Sequence, residues 1–142
     1  MKKYALVTGG SRGIGREICI RLAGLGYHIL INYKGNESAA LETQQQCIAL
    51  GVDAELLKFD VGDKSDIEKV LGAWVTQAEK NALVEVLVNN AGVRHDTLMS
   101  FMSDTQWSEV IDTSLQGMFF VTRTVLNPML MNRFGRIINI VS

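Results

Sequence analysis

Proline is almost absent from this chain, with one residue, Pro128, in 142. No proline-rich linker can therefore divide it, and no low-complexity segment or internal repeat does so either. A single domain over residues 1–142 is expected. Cysteine is scarce too. Cys19 and Cys47 sit inside helical patterns without metal-ligand spacing, which argues against a disulfide framework or a metal site and for reduced thiols in a cytoplasmic protein. Neither sign of charge dominates: 14 Lys and Arg against 15 Asp and Glu leave a net charge of −1, so nothing in the balance attracts nucleic acid or a membrane surface. A long apolar run is missing as well. The run Tyr4-Ala5-Leu6-Val7 breaks at Gly9-Gly10 and Arg12, too soon for a secretory or membrane-spanning segment. What the chain does hold is 47% hydrophobic residues, enough for one core in a soluble domain.

These apolar residues are arranged in short runs that alternate with amphipathic stretches, the pattern of a parallel sheet covered on both faces. Strands are expected at about residues 3–8, 28–33, 54–59, 84–89 and 136–141. The first helix starts at the glycine-rich turn and stops before Gly26. The second runs from about Ser38 to Leu50 and stops at Gly51. Two capping boxes, Ser65-Asp66-Ile67-Glu68 and Ser103-Asp104-Thr105-Gln106, announce the third and fourth helices, the last extending toward Met131. That fourth helix spreads Trp107, Ile111, Leu115, Phe119, Phe120 and Leu130 around more than one face, a surplus that calls for a partner.

The chemistry-bearing motif comes first in the chain. Strand 1 ends in Thr8-Gly9-Gly10-Ser11-Arg12-Gly13-Ile14-Gly15, so that the following helix turns its unpaired N–H groups and the positive end of its dipole toward an anion. The spacing T-G-x-x-x-G-x-G differs from G-x-G-x-x-G, since Ile18 stands where a third glycine would fall. Farther along come Asp60-Val61, then Val86-Leu87-Val88-Asn89-Asn90-Ala91-Gly92, and last Gly135-Arg136-Ile137-Ile138-Asn139-Ile140-Val141-Ser142. In this order and spacing they resemble the short-chain dehydrogenase/reductase family over the whole chain. Within it, the loop and the final segment look most like bacterial 3-oxoacyl-ACP reductases. The fold so implied is α/β, a Rossmann-type doubly wound parallel sheet with helices on both faces, incomplete at the C-terminal side. The 142 residues would then be the N-terminal part of a single-domain reductase.

The resemblance assigns cofactor contacts to Thr8, Gly9, Ser11, Arg12, Gly13, Ile14, Gly15, Asn32, Tyr33, Asp60, Val61, Asn89, Ala91 and Gly92. Charge at the end of strand 2 speaks to the cofactor's identity. An NAD site usually places Asp or Glu there for the ribose 2′-OH, but this chain has Asn32-Tyr33-Lys34. Arg12 and Lys34 can instead neutralise a 2′-phosphate, which favours NADP(H), although Lys34 reads equally as a solvated surface charge. Asp60 would accept a hydrogen bond from the adenine amino group, or cap the next turn, or both. Asn89 would lie beside the adenine-side ribose.

Of the family's catalytic residues, Ser142 matches the serine that steadies the substrate carbonyl. The tyrosine acid is missing, because Tyr4, Tyr27 and Tyr33 are followed four residues on by Thr8, Ile31 and Glu37, so no Tyr-x-x-x-Lys occurs. Ser114 stands where the family commonly has the Asn that holds a relay water. A hydroxyl can hold a water but lacks the second donor of a carboxamide. Arg133 matches a position that helps dock an acidic acyl carrier protein, and it also suits the C-terminal end of a helix dipole. The resemblance thus implies NADPH-dependent reduction of an acyl-carrier-protein-linked 3-oxoacyl thioester by a homodimer or homotetramer paired through the fourth helix, with no metal. Reduction of another small ketone, sugar or steroid, or non-catalytic dinucleotide binding, stays open from the sequence.

Overall fold

The protein is seen in a computed structural model that describes residues 1–92 and 99–140. In β1 (Lys2–Val7) the side chains alternate: Tyr4 and Leu6 enter one core cluster, Ala5 and Val7 the other. All four are buried, as a strand covered on both faces requires. The chain continues through α1 (Gly13–Gly24), β2 (His28–Tyr33), α2 (Glu37–Ile48) and β3 (Ala54–Lys58). Next, α3 (Lys64–Ile67) passes through a π-helical turn at Glu68–Gly72 into α4 (Ala73–Ala78), and β4 (Ala82–Asn89) follows. A second interrupted helix comprises α5 (Asp104–Ile111), a π-helical turn at Asp112–Gln116 and α6 (Gly117–Met131), which leads to β5 (Arg136–Asn139).

The strands pair in the order β3-β2-β1-β4-β5, every pair parallel. This is the doubly wound Rossmann-type sheet expected from the sequence. One face packs Leu6, Leu30, Phe59 and Leu87 against Ile67 and Leu71 and against Val121, Val125 and Met129 of α6. The other packs Val7, Ile29, Ile31 and Val88 against Cys19 and Ala23 of α1 and Cys47 of α2. At roughly 1.5–3 kcal/mol for each large apolar side chain taken out of water, these two layers fix the sheet and hence the loops at its carboxyl edge. The pairing of β4 with β1 slips once. Tyr4 faces Val84 but Ala5 faces Val86, so Glu85 is an extra residue, a β-bulge. Its carboxylate, 5% exposed, accepts a 2.9 Å hydrogen bond from the Tyr27 hydroxyl and lies 3.5 Å from the Lys3 ammonium.

Helix ends repay comparison with the sequence pattern. Ser103 and Gln106 form the expected reciprocal box: the Ser103 hydroxyl accepts from the Gln106 N–H at 3.1 Å, and the Gln106 carbonyl accepts from the Ser103 N–H at 2.9 Å. The box expected at Ser65 and Glu68 does not form. Asp63 caps the helix instead, accepting from the Asp66 N–H at 3.2 Å, and Ser65 lies inside the first turn. A carboxylate at that place also complements the positive end of the dipole, which favours the earlier start. The fourth helix, expected to be continuous, is broken by its π-helical turn, and α6 ends in a Schellman arrangement. There the Phe134 N–H donates to the Met129 carbonyl and the Arg133 N–H to the Leu130 carbonyl, both at 3.1 Å. Arg133 occupies the left-handed position, with φ 56°, that glycine usually takes.

Candidate functional site

Strand order reverses direction between β1 and β4, and ligands of open parallel sheets settle in the crevice beyond the carboxyl ends of the strands at such a place. Two adjoining hollows lie there. One, of about 500 Å³, is lined on the β2 side by Ser11, Arg12, Tyr33, Lys34 and Asp60. The other, of about 350 Å³, is lined on the β5 side by Val110, Ser114, Met118 and Ile140. They share Ile14, Val61, Asn90, Ala91 and Gly92, so together they form a single elongated cleft.

The cleft's floor is the turn from β1 into α1. Gly13 has φ 57°, the left-handed setting that favours glycine. Gly15 serves another purpose: a Cβ there would strike the Gly9 carbonyl oxygen, so the helix can start this close to the turn only with glycine. Arg12, at the N-cap, gives no side-chain hydrogen bond to the first turn of α1, and that turn holds no acidic residue. By contrast, Asn36 caps α2 and Asp63 caps α3. α1 therefore presents uncapped N–H groups and a dipole end to the cleft, a preformed seat for a phosphate group. A bound dinucleotide fits this cradle.

Several expected contact residues line the cleft and carry structural bonds as well. The Thr8 hydroxyl accepts 2.9 Å hydrogen bonds from the Asn90 and Ala91 N–H groups and donates to the Val88 carbonyl at 3.4 Å. One donor and two acceptor positions are all a hydroxyl has, so Thr8 holds the two loops together and has nothing left for a ligand. Asn32 is spent in the same way, accepting from the Gly9 N–H and donating to the Leu57 and Phe59 carbonyls. The Asn89 amide donates to Thr122 and Asn139, tying β4 to α6 and β5, and the residue also lines the β5-side hollow. Tyr33 lines the cleft but is 5% exposed, and burial first, then the Glu37 carboxylate, pushes its phenol above the ordinary range.

Other expectations find their residues at the cleft. Gly9, Ser11, Arg12 and Gly15 line its turn, Ile14 stands at the junction of the hollows with 66% of its surface exposed, and Val61, Ala91 and Gly92 line the walls, whereas Gly13 belongs to the turn but lines neither hollow. Asp60 does cap the next turn, accepting from the Gly62 N–H at 2.8 Å, and its other oxygen lies 3.5 Å from Lys34. With Lys34 76% exposed, that pair is worth about 0–1 kcal/mol and leaves both groups available. Ser114, on the π-helical turn, lines the β5-side hollow, its hydroxyl beside Gly92. Arg133 sits at the end of α6, outside the cleft. Ser142 lies outside the described residues. Among the described residues no group of His, Cys, Asp and Glu could hold a metal ion, and no helix is long and apolar enough to cross a membrane.

Asn90 was not among the expected site residues, yet its amide donates at 3.2 Å to both the Thr8 and Gly9 carbonyls and fixes the glycine turn. The doubled Asn89-Asn90 carried that signal, because successive side chains of a strand point opposite ways. Gly117 was missed too: a Cβ there would lie 2.6 Å from the Val61 carbonyl, so this glycine lets α6 approach the cleft wall.

Comparisons with known proteins agree with the geometry. A family model described as short chain dehydrogenase matches residues 3–142. A 3-oxoacyl-(acyl-carrier-protein) reductase FabG of Staphylococcus aureus is 39% identical over 142 residues, all of this chain and 56% of the relative. An acetoacetyl-CoA reductase of Rhizobium meliloti is 40% identical over 142 residues, again all of this chain and 56% of the relative. The chain thus spans about half the length of the curated relatives it matches. A metagenomic short-chain oxidoreductase solved in complex with NADP superposes with a TM-score of 0.84 at 29% identity, covering 96% of this chain and 60% of that one.

Replacing Thr8 with Val keeps the shape but orphans two N–H groups, so Thr8→Val should cost about 2–4 kcal/mol while Thr8→Ser costs less than about 1 kcal/mol. Urea unfolding midpoints measure the difference, and equal midpoints for the two variants would refute the role given to the hydroxyl. Fold, cleft and family match together make this chain a member of the short chain dehydrogenase family.

Proposed function

We propose that these residues bind the cofactor of an NADPH-dependent reductase that converts an acyl-carrier-protein-linked 3-oxoacyl thioester to its 3-hydroxyacyl form in the cytoplasm, as the N-terminal part of a single-domain enzyme. The observation that carries this reading is the uncapped α1 N-terminus in a cleft whose β2 side offers Arg12 and Lys34. The NADP in the metagenomic relative's complex and the carrier in the name of the Staphylococcus relative support it. The Rhizobium relative's name favours a second reading, with coenzyme A in place of the carrier.

On this reading each residue has its own work. The first amides of α1 hold the pyrophosphate, and Arg12 and Lys34 offset the 2′-phosphate charge. The spare lone pairs of Asp60 accept from the adenine amino group, and Ala91 and Gly92 let the cofactor pass close to the backbone. When bound, NADPH supplies the hydride. The Ser114 hydroxyl holds a relay water, and Ser142 hydrogen-bonds the developing alkoxide. The proton must come from elsewhere: Tyr4 is in the core, Tyr27 bonds Glu85, and Tyr33 lies on the β2 side, away from Ser114. The reading therefore requires a tyrosine acid from beyond Ser142. The exposed Trp107, Leu115, Phe119 and Leu130 along α5 and α6 suit pairing of subunits into a homodimer or homotetramer.

In the full-length enzyme, Arg12→Ala should lower the preference for NADPH over NADH by about tenfold or more, with the loss in the NADPH kcat/KM. Unchanged cofactor preference would refute its role. Arg133→Gly should raise stability by about 0.4–1 kcal/mol by suiting the left-handed backbone, yet slow reduction of carrier-linked substrate relative to the coenzyme A thioester. Equal rates on both substrates, before and after the change, would favour the second reading. Phe119→Asp should shift the enzyme to a smaller species in light scattering, and an unchanged mass would place the subunit contact elsewhere.

A further inference from the structure

Arg16 lines neither hollow, yet it makes the densest set of polar contacts near the glycine turn. Its Nε donates to the Thr43 hydroxyl at 2.9 Å, and its Nη2 donates to the Ser11 carbonyl at 2.8 Å and the Ala39 carbonyl at 2.9 Å. The Glu42 carboxylate lies 3.2 Å from the same nitrogen. Thr43 is fully buried, and its hydroxyl donates to the Ser11 carbonyl at 3.0 Å. One carbonyl oxygen thus receives two side-chain donors, while the fork of the guanidinium spans α1, α2 and the turn.

What this clamp joins are the two walls of one end of the cleft. Ser11 and Arg12 form the first wall, and Lys34, Gly35 and Asn36, which lead into α2, form the second. The Ser11–Arg12 peptide is planar, so holding its carbonyl fixes the direction in which Arg12 leaves the turn. Anchoring Ala39 and Thr43 holds α2, and with it the segment from Lys34 to Asn36. We propose that Arg16 is a positioning residue for cofactor discrimination: with Thr43 it sets the separation between Arg12 and Lys34, and so the recognition of an adenosine 2′-phosphate. This rests on the NADPH reading above. Lysine cannot reproduce the clamp, since a single ammonium lacks the planar fork that reaches three partners in fixed directions.

The test uses two fragments of the cofactor, adenosine 2′,5′-bisphosphate and 5′-AMP, bound to the full-length protein and measured by calorimetry. The unsubstituted protein should prefer the bisphosphate by about tenfold or more, the value of one charge-assisted contact. Absence of that preference would overturn the NADPH reading and this inference together. In Arg16→Met and Thr43→Val the preference should fall about fivefold with 5′-AMP affinity nearly unchanged, while Arg16→Lys restores it in part and Thr43→Ser retains it. Should Arg16→Met fail to fold by circular dichroism, Thr43→Val carries the test, because it removes only the hydroxyl. A preserved preference, or an equal loss of both ligands, in the folded variants would overturn the positioning role while leaving the NADPH reading intact.

Discussion

The hydroxyl of Thr8 sits where the chain must hold two loops together without any covalent link. β1 and β4 are neighbours in the sheet, but Thr8 and Asn90 at their carboxyl ends are 82 residues apart in sequence, and the loops that leave them both line the cleft. A parallel sheet brings strand ends side by side but leaves their loops free to splay. Three hydrogen bonds through one hydroxyl, and two more through the Asn90 amide, close that freedom. With the turn so fixed, Gly15 can press α1 against Gly9, and the uncapped end of the helix faces the crevice instead of solvent. Buried polar contacts of this kind tolerate little loss, because each orphaned group keeps its full desolvation cost.

The fold was legible in the sequence because apolar periodicity and parallel strand order leave few arrangements. Ile29, Leu30 and Ile31 read as a strand buried on both faces, and they are one. The glycine spacing matches the turn the structure shows, where Gly9 and Gly13 have positive φ and Gly15 meets the Gly9 carbonyl too closely for a Cβ. Side-chain duties at the site were less legible. Thr8, Asn32 and Asn89 stand at the strand ends where ligand contacts are expected, but an amide or hydroxyl at such a place serves the backbone as readily as a ligand. Only the partner atoms decide, and those come from loops distant in sequence.

Helix boundaries show the same limit on a smaller scale. Ser103 and Gln106 satisfied each other as their spacing foretold, whereas Asp63 displaced Ser65 as the cap of α3. The π-helical turns left no trace in composition. One of them sets Ser114 beside Gly92, and Gly117 follows it at once, allowing α6 to meet the Val61 carbonyl. Such turns widen the helix locally and recur near functional sites.

The bulge at Glu85 reaches farther than its place on the opposite rim suggests. Val84 belongs to the core under α6, and strict alternation from it would send Val86 and Val88 to that same layer. They lie instead under α1 and α2. The extra residue resets the phase of the strand, so that odd-numbered positions beyond it turn toward α6, and Asn89 meets Thr122 there. Were Glu85 to enter the ladder as an ordinary residue, the two faces would exchange all the way to the cleft, sending Asn89 under the glycine turn and Asn90 away from it. The address of each asparagine is therefore written at the far end of the strand, by a carboxylate that never comes near the ligand.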